Sequence, residues 1–317
     1  MKVIWLKHDR QEAALKLKGE LPDSSNVRQT LDEDSKLISP DGKIAALFLR
    51  NVIPARLHKR AYNILKHVDE LPENRVNAVG TIPLPRRRKK DGTWSPSLGV
   101  NEKVLQILKK QGVRSGTLGY LPCHETQLTK RHPEMLRRNE ALIKLTDGLY
   151  AEHLRTFYEK QVAVVEKVPR CRLWNTAFTT VYITKDWQTS YHRDGNLKGV
   201  MTAITSLGEF TGGALVVVRW GVAIPYQPGD VLFFDAEQLH GTLPFEGKRL
   251  SAIFYCARRI ADCGKSSEDK GVNATCRGLH SQNHSLTSAK PALRCPYPRT
   301  LTSGTPILAG IALFQSV

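Results

Sequence analysis

Hydrophobic and polar positions change their period near Cys171. Upstream, apolar residues recur at helical spacing. Pro54 opens one such stretch, with Leu57, Ala61, Ile64 and Leu65 on one face, and Pro133 starts a longer one carrying Leu142, Leu145, Leu149 and Phe157. Between the chain start and Pro54, residues 45–50 read as a buried strand, and a further helix is expected near 102–110. From Cys171 onward the period becomes two. Strands are expected at 176–184 and 187–191 around a Lys185-Asp186 turn, then at 200–206, 214–218, 231–234 and 250–255. Short strands separated by Gly and Pro turns predict an α+β fold. Its core is a double-stranded β-helix (a jelly roll, cupin-like), with the upstream helices packed on the outside of one sheet. Residues 1–40, polar and charged, are expected to be a loose N-terminal arm with one short helix. Residues 41–170 form the helical part with a basic loop at 80–100, and 171–263 the β-helix core. Residues 264–317, Ser/Thr/Pro-rich and aperiodic, are expected to be a disordered tail.

On this strand pattern sits a set of metal-ligating residues. His192 and Asp194 are two apart, which on extended backbone puts both side chains on one side. His240 follows the apolar run 231–234, which is entered through a Pro228-Gly229-Asp230 turn. Two imidazoles and one carboxylate are the facial triad of a non-haem Fe(II) oxygenase, holding one face of an octahedron and leaving three positions open. Arg249 and Ser251 share a strand face beyond it. A guanidinium and a hydroxyl suit the far carboxylate of 2-oxoglutarate, because Arg donates two parallel charged hydrogen bonds to carboxylate. Gly212-Gly213, just before a strand, suits either a close backbone approach to a co-substrate or base, or a plain turn. No Ser/His/Asp or paired-carboxylate arrangement is evident, and oxygenase chemistry needs none.

Composition changes the picture in two respects. Among 317 residues there are 47 Lys+Arg against 30 Asp+Glu, a formal net charge of +17. That excess favours a polyanionic partner, nucleic acid before an anionic membrane surface. The residues singled out for phosphate contact are Arg86, Arg87, Arg88, Lys89 and Lys90 in the basic loop, and Lys130 and Arg131 at a helix start; a solvated loop or an import signal is the competing reading of the first run. Trp94, Trp174 and Tyr120 could stack on a base, or belong to the core. The six cysteines show no C-x-x-C pair, which argues against a disulfide framework or a zinc site and fits a reducing compartment. With no signal-peptide core in residues 1–10 and no run approaching the ~20 apolar residues of a membrane span, the expectation is an intracellular protein without a membrane partner, nuclear if eukaryotic, and a monomer.

The segments Thr176-Ala177-Phe178, Tyr191-His192-Arg193-Asp194, Phe210-Thr211-Gly212-Gly213, Trp220-Gly221-Val222, Pro228-Gly229-Asp230-Val231-Leu232-Phe233-Phe234 and His240-Gly241-Thr242-Leu243-Pro244 resemble the TET/JBP branch of Fe(II)/2-oxoglutarate dioxygenases. These are the ten-eleven-translocation and J-binding-protein relatives, including compact fungal, algal and phage forms. The resemblance is dense over 171–258 and looser at 45–54, Asn74-Arg75 and 119–133. It implies iron on His192, Asp194 and His240, the 2-oxoglutarate carboxylate on Arg249, and O2 as oxidant. It implies oxidation of a pyrimidine methyl group in methylated DNA, with 5-methylcytosine going to 5-hydroxymethylcytosine as the favoured case and thymine in the J-binding branch. A duplex base must flip out of the stack to reach a buried iron. The chain departs from the pattern at Gly195-Asn196, where compact members carry a longer acidic turn at the mouth of the site, and at Val218, where Pro is common. A few algal relatives use ascorbate in place of 2-oxoglutarate; the Arg249/Ser251 pair favours 2-oxoglutarate. Hydroxylation of a protein side chain or small molecule, or a DNA-gripping module without activity, are the competing readings.

Overall fold

Strict side-chain alternation along the strands builds two sheets that face one another. The computed structural model describes residues 1–7, 10–68 and 114–263, together with the short strands between 81 and 100 and Gln106. These all lie within the first of two units of the chain, Met1–Asn273; the second, Ala274–Val317, lies outside the described residues, as does the expected tail at 264–317. The strands are β1 (Lys2–Trp5), β2 (Gln29–Thr30), β3 (Ser35–Ile38), β4 (Ile44–Leu49), β5 (Thr81–Pro83), β6 (Arg87–Arg88), β7 (Trp94–Ser95) and β8 (Leu98–Val100). They continue as β9 (Arg114–Gly119), β10 (Thr180–Lys185), β11 (Thr202–Gly212), β12 (Leu215–Val217), β13 (Val222–Ile224), β14 (Val231–Phe234), β15 (His240–Thr242) and β16 (Phe245–Tyr255). The described α-helices are α1 (Gln11–Lys16), α2 (Ala55–Leu65), α3 (Gln127–Arg131), α4 (Pro133–Arg138), α5 (Glu140–His153) and α6 (Arg155–Val165).

The large sheet has the order β1-β3-β4-β14-β11-β16-β10-β9, and the small one β15-β12-β13-β2. This is the expected jelly roll. On the large sheet, Leu47, Leu49, Val181, Ile183, Val231, Phe233, Leu250, Ala252 and Phe254 point to the helical layer, packing with Ala61, Ile64 and Leu65 of α2 and Leu142, Ile143 and Tyr150 of α5. Their neighbours on the same strands, Ala46, Phe48, Leu232 and Phe234, point the other way and pack with Leu215, Val217, Val222 and Ile224 of the small sheet. Period two therefore sorts one set of strands into a helix-covered face and a barrel-facing face. The long helical pattern after Pro133 is three helices, broken at Asn139 and Leu154. The helix expected near 102–110 falls outside the described residues except at Gln106. Among the described residues no helix is long and apolar enough to cross a membrane.

Three expectations need correction. Residues 1–40 are not a loose arm: β1 and β3 pair in parallel at the edge of the large sheet, β2 pairs with β13 of the small one, and Leu6, Ala14, Leu31 and Leu37 are buried. β1 and β2 are short edge strands that pair only with segments distant in sequence, so they leave little local pattern. Residues 187–191 are not a strand. Asp186 adopts φ 53° and turns the chain out of the large sheet, with its backbone N–H donating to Arg249 O and its carboxylate accepting from Arg249 N. The segment then crosses to the small sheet, where Thr242 N donates to Thr189 O. The cysteines are not all free: Cys123 and Cys263 form a disulfide with Cα atoms 5.5 Å apart, while Cys171 and Cys256 are buried thiols. The two half-cystines are 140 residues apart in sequence, so only the fold brings them together.

Candidate metal centre and the cavity around it

His192 and His240 face each other across the small sheet's rim. Each backbone N–H donates to the other residue's carbonyl, at 2.9 and 3.0 Å, forming a single antiparallel bridge. Their rings lie 4.4 Å apart, and Asp194 is set between them by its N–H donating to Ala236 O. His192 Nε2 is 3.5 Å from Asp194 Oδ1, and His240 Nε2 is 4.0 Å from Asp194 Oδ2. The three donors lie within 4.8 Å of one another, the one such His/Cys/Asp/Glu group among the described residues.

The tautomers follow from the neighbours. His192 Nδ1 lies 2.7 Å from Ser190 O and His240 Nδ1 2.8 Å from Gln238 O, so each Nδ1 carries the proton and donates it. Such an outer hydrogen bond fixes ring orientation in metal sites, and it leaves both Nε2 lone pairs directed at the carboxylate. Burial, reinforced by the adjacent His192 ring, pushes His240 down to about 4, so it is neutral at pH 7 and able to ligate. The Asp194 carboxylate is supported from an unforeseen side. Asn196 Nδ2 donates to Thr202 Oγ1 at 2.8 Å and reaches Asp194 Oδ2 at 3.4 Å. The Gly195-Asn196 departure thus places an amide behind a ligand. This donor set fits Fe(II): a hard carboxylate, two imidazoles and one open side.

The open side gives onto a cavity of about 410 Å³ between the two sheets, lined by the triad and by Tyr182, Thr184, Trp187, Tyr226, Arg249 and Ser251 among others. Arg249 is 3% exposed, and the carboxylate of Asp186 is taken by its backbone, not its guanidinium. The guanidinium instead sits among the rings of Tyr226, Phe210 and Phe245, 5.1–5.4 Å from their centroids, and Nη2 donates to the Tyr226 hydroxyl. Arg249 Nε and the Ser251 hydroxyl are buried in the cavity wall with no hydrogen-bond partner. Buried polar groups left unpaired are costly, and those of a cation more so. The two point to a carboxylate ligand, which is how 2-oxoglutarate fits this cavity. Gly213 serves this arrangement rather than a ligand: at φ +72°, an added Cβ would come within 3.0 Å of Arg249 Nε.

A family model described as "Oxygenase domain of the 2OGFeDO superfamily" (Tet_JBP) matches residues 115–258, a span holding the triad, Arg249 and Ser251. Residues 115–258 are a TET/JBP-type oxygenase domain. The chain is 30% identical over 236 residues to the bifunctional helicase and thymine dioxygenase JBP2 of Trypanosoma brucei brucei, which covers 72% of this chain and 20% of that protein. It is 27% identical over 206 residues to thymine dioxygenase JBP1 of Trypanosoma brucei brucei, covering 58% of this chain and 24% of that one. The chain thus spans about a fifth to a quarter of the length of these curated relatives. The solved structure of NgTET1 in complex with 5mC DNA overlays at 14% identity and a TM-score of 0.44, covering 80% of this chain and 92% of that one.

Around this TET/JBP-type centre the structure brings together His192, Asp194, His240, Arg249 and Ser251, all expected from sequence. None of the basic candidates among the described residues lines the cavity. Arg86, Lys89 and Lys90 lie outside the described residues, and Arg87–Arg88 form β6, paired with β7. Lys130 and Arg131 are exposed in the last turn of α3, whose Leu128 packs in the helix-side core, behind the sheet that walls the cavity. Of the stacking candidates, Trp174 and Tyr120 pack partly buried against that same helix-side core, and Trp94's side chain lies outside the described residues. The aromatics that line the cavity are Tyr182, Trp187, Tyr226, Phe234 and Tyr255. Tyr226 was legible as the second inward position after Ile224, though an aromatic there reads first as core.

Proposed function

We propose that this chain oxidises the C5 methyl group of a pyrimidine in DNA, as an Fe(II)/2-oxoglutarate dioxygenase. The observation that carries it is the closed set of groups in one cavity: an iron-type triad, and Arg249 Nε with the Ser251 hydroxyl unpaired on the same wall, inside a domain whose curated relatives are thymine dioxygenases. Iron with 2-oxoglutarate and O2 supplies an oxidant that hydroxylates an unactivated C–H bond, with succinate and CO2 as co-products.

The chain's own residues do the rest. His192, Asp194 and His240 would hold the iron, with Ser190 O and Gln238 O keeping the proton on each Nδ1. Arg249 and Ser251 would bind the far carboxylate of 2-oxoglutarate, which supports that co-substrate over ascorbate. Trp187, Ile253 and Tyr255 give the remaining wall an apolar and aromatic lining that excludes water and suits a flat base. The +17 charge supports DNA over a neutral small molecule.

Purified protein with Fe(II), 2-oxoglutarate and two duplexes, one bearing thymine only and one bearing 5-methylcytosine, tests the reading. Nucleoside mass spectrometry should find 5-hydroxymethyluracil or 5-hydroxymethylcytosine, and the product names the base. Succinate release that is stimulated by neither duplex, with no hydroxymethyl product, would sink the DNA reading and leave a protein or small-molecule substrate.

A further inference from the structure

A second cavity of about 420 Å³ adjoins the first and shares Asp194 with it. Its lining is unlike that of the first: Arg193, Lys198, Arg219 and Arg258, with Glu237, Gln238 and Asp194. Apart from the metal ligand, Glu237 is the single acid in a lining that holds four cations. It is already shared, lying 3.6 Å from Lys198 Nζ and 2.7 Å from Arg258 Nη2. Arg219 Nη1 donates to the neutral Gln238 side chain at 3.1 Å, and Arg258 Nε to Asn196 O at 3.2 Å. Neutral oxygens thus help to orient two of the basic side chains across the mouth.

We infer that this rim grips the phosphodiester backbone of the strand whose base enters the first cavity. The inference rests on the DNA reading above and adds to it a site. The chemistry fits in three ways. Arg presents a fork that matches two phosphate oxygens. Lys198 is 66% exposed and Arg258 44%, so the ion pairs they make with Glu237 are of the weak, solvent-screened kind. A phosphate displaces such a pair at little cost. The two cavities meet at Asp194, so a nucleotide lying across the junction places its base on one side of the metal position and its backbone on the other. A flipped nucleotide needs such a hold, because backbone contacts must offset the cost of unstacking it. The rim is drawn from four separated stretches of sequence, so no charge run announced it.

The test is fluorescence anisotropy of a labelled duplex against the full chain over a KCl series. Removing one phosphate contact should reduce the magnitude of the slope of log K against log salt by about 0.9. The double variant Arg193→Gln/Lys198→Gln should weaken binding and flatten that slope by roughly 2. The charge-conserving Arg193→Lys/Lys198→Arg should bind nearly as the wild type, which guards against a folding artefact. Lys59→Gln/Arg60→Gln removes the same charge from the exposed side of α2, on the helix-covered face, and should bind as the wild type. If the wild type binds duplex and Arg193→Gln/Lys198→Gln leaves both affinity and slope unaltered, the rim is not the grip and the DNA reading survives. The rim is likewise ruled out if the α2 variant weakens binding as much. If the wild type binds no duplex at low salt, the DNA reading itself fails.

Discussion

The two faces of the large sheet use the same strands for opposite purposes. On β10, Val181 and Ile183 pack under the helices while Tyr182 and Thr184 line the cavity. On β16, Leu250, Ala252 and Phe254 go to the helices while Arg249, Ser251, Ile253 and Tyr255 line the cavity. The strands pair in register, with Thr184 opposite Ser251 and Ile183 opposite Ala252, so the faces never mix. The helix face is built mainly on apolar packing. The cavity face carries a buried guanidinium Nε and a hydroxyl with no protein partner, an arrangement that weakens the apo fold. On β10 and β16 the two faces therefore divide the labour: one side packs under the helices, and the other holds unsatisfied groups for a ligand.

Substitutions on the two faces should separate activity from stability. The largest effect expected is Asp194→Ala. It removes the anionic iron ligand, and succinate formation should fall to background while the thermal midpoint of the metal-free protein stays near that of the wild type. A metal-free midpoint lowered as far as by a core deletion would overturn the division. Ile183→Ala is its mirror image. Ile183 is fully buried on the helix face, and its truncation should cost about 2–5 kcal/mol by denaturant unfolding. Iron affinity per folded molecule should be unchanged, as read by titration below the unfolding transition.

How much of this is legible in the sequence depends on how far each signal reaches along the chain. Period two exposed Arg249 and Ser251 as one face and placed β14 at Val231–Phe234, because alternation is a local property. His192, Asp194 and His240 were legible because their residue types and their order on strand-like sequence leave few alternatives. The edge strands β1 and β2 were not, since each is short and pairs only with a segment distant in sequence. The Cys123–Cys263 bond and the basic rim were missed for the same reason: each assembles residues that only the fold makes neighbours. The run from Arg86 to Lys90 stood out because it is contiguous, and contiguity says nothing about distance from the metal position.

Within the cavity face, Arg249→Lys tests which groups wait for the ligand. Lys keeps the charge but loses the fork and the stacking with Tyr226, Phe210 and Phe245. Hydrogen bonds involving a charged group are worth roughly 1.5–3 kcal/mol, so the KM for 2-oxoglutarate should rise on the order of 10- to 100-fold. Iron binding should persist, because the guanidinium is held by the aromatic cage and the Tyr226 hydroxyl rather than by the triad. Unchanged dependence on 2-oxoglutarate would remove Arg249 from the co-substrate site.

The smallest effect expected is Tyr226→Phe. The ring stays in place against the guanidinium, and only the hydroxyl that accepts from Arg249 Nη2 is lost. Tyr226 is otherwise held by its backbone, whose carbonyl accepts from the Ser206 hydroxyl at 2.8 Å. The guanidinium should keep its cage but lose one of the interactions that set its direction. The lost hydrogen bond acts on 2-oxoglutarate only through the direction of the guanidinium, so part of its worth reaches the co-substrate and the KM should rise roughly 2- to 10-fold with little change in kcat at saturation. Stability should fall, because Arg249 Nη2 is left buried without its acceptor, but by less than in Ile183→Ala. A fall in thermal midpoint comparable to that of Ile183→Ala, with KM unaltered, would show that the Tyr226 hydroxyl serves the fold rather than the co-substrate.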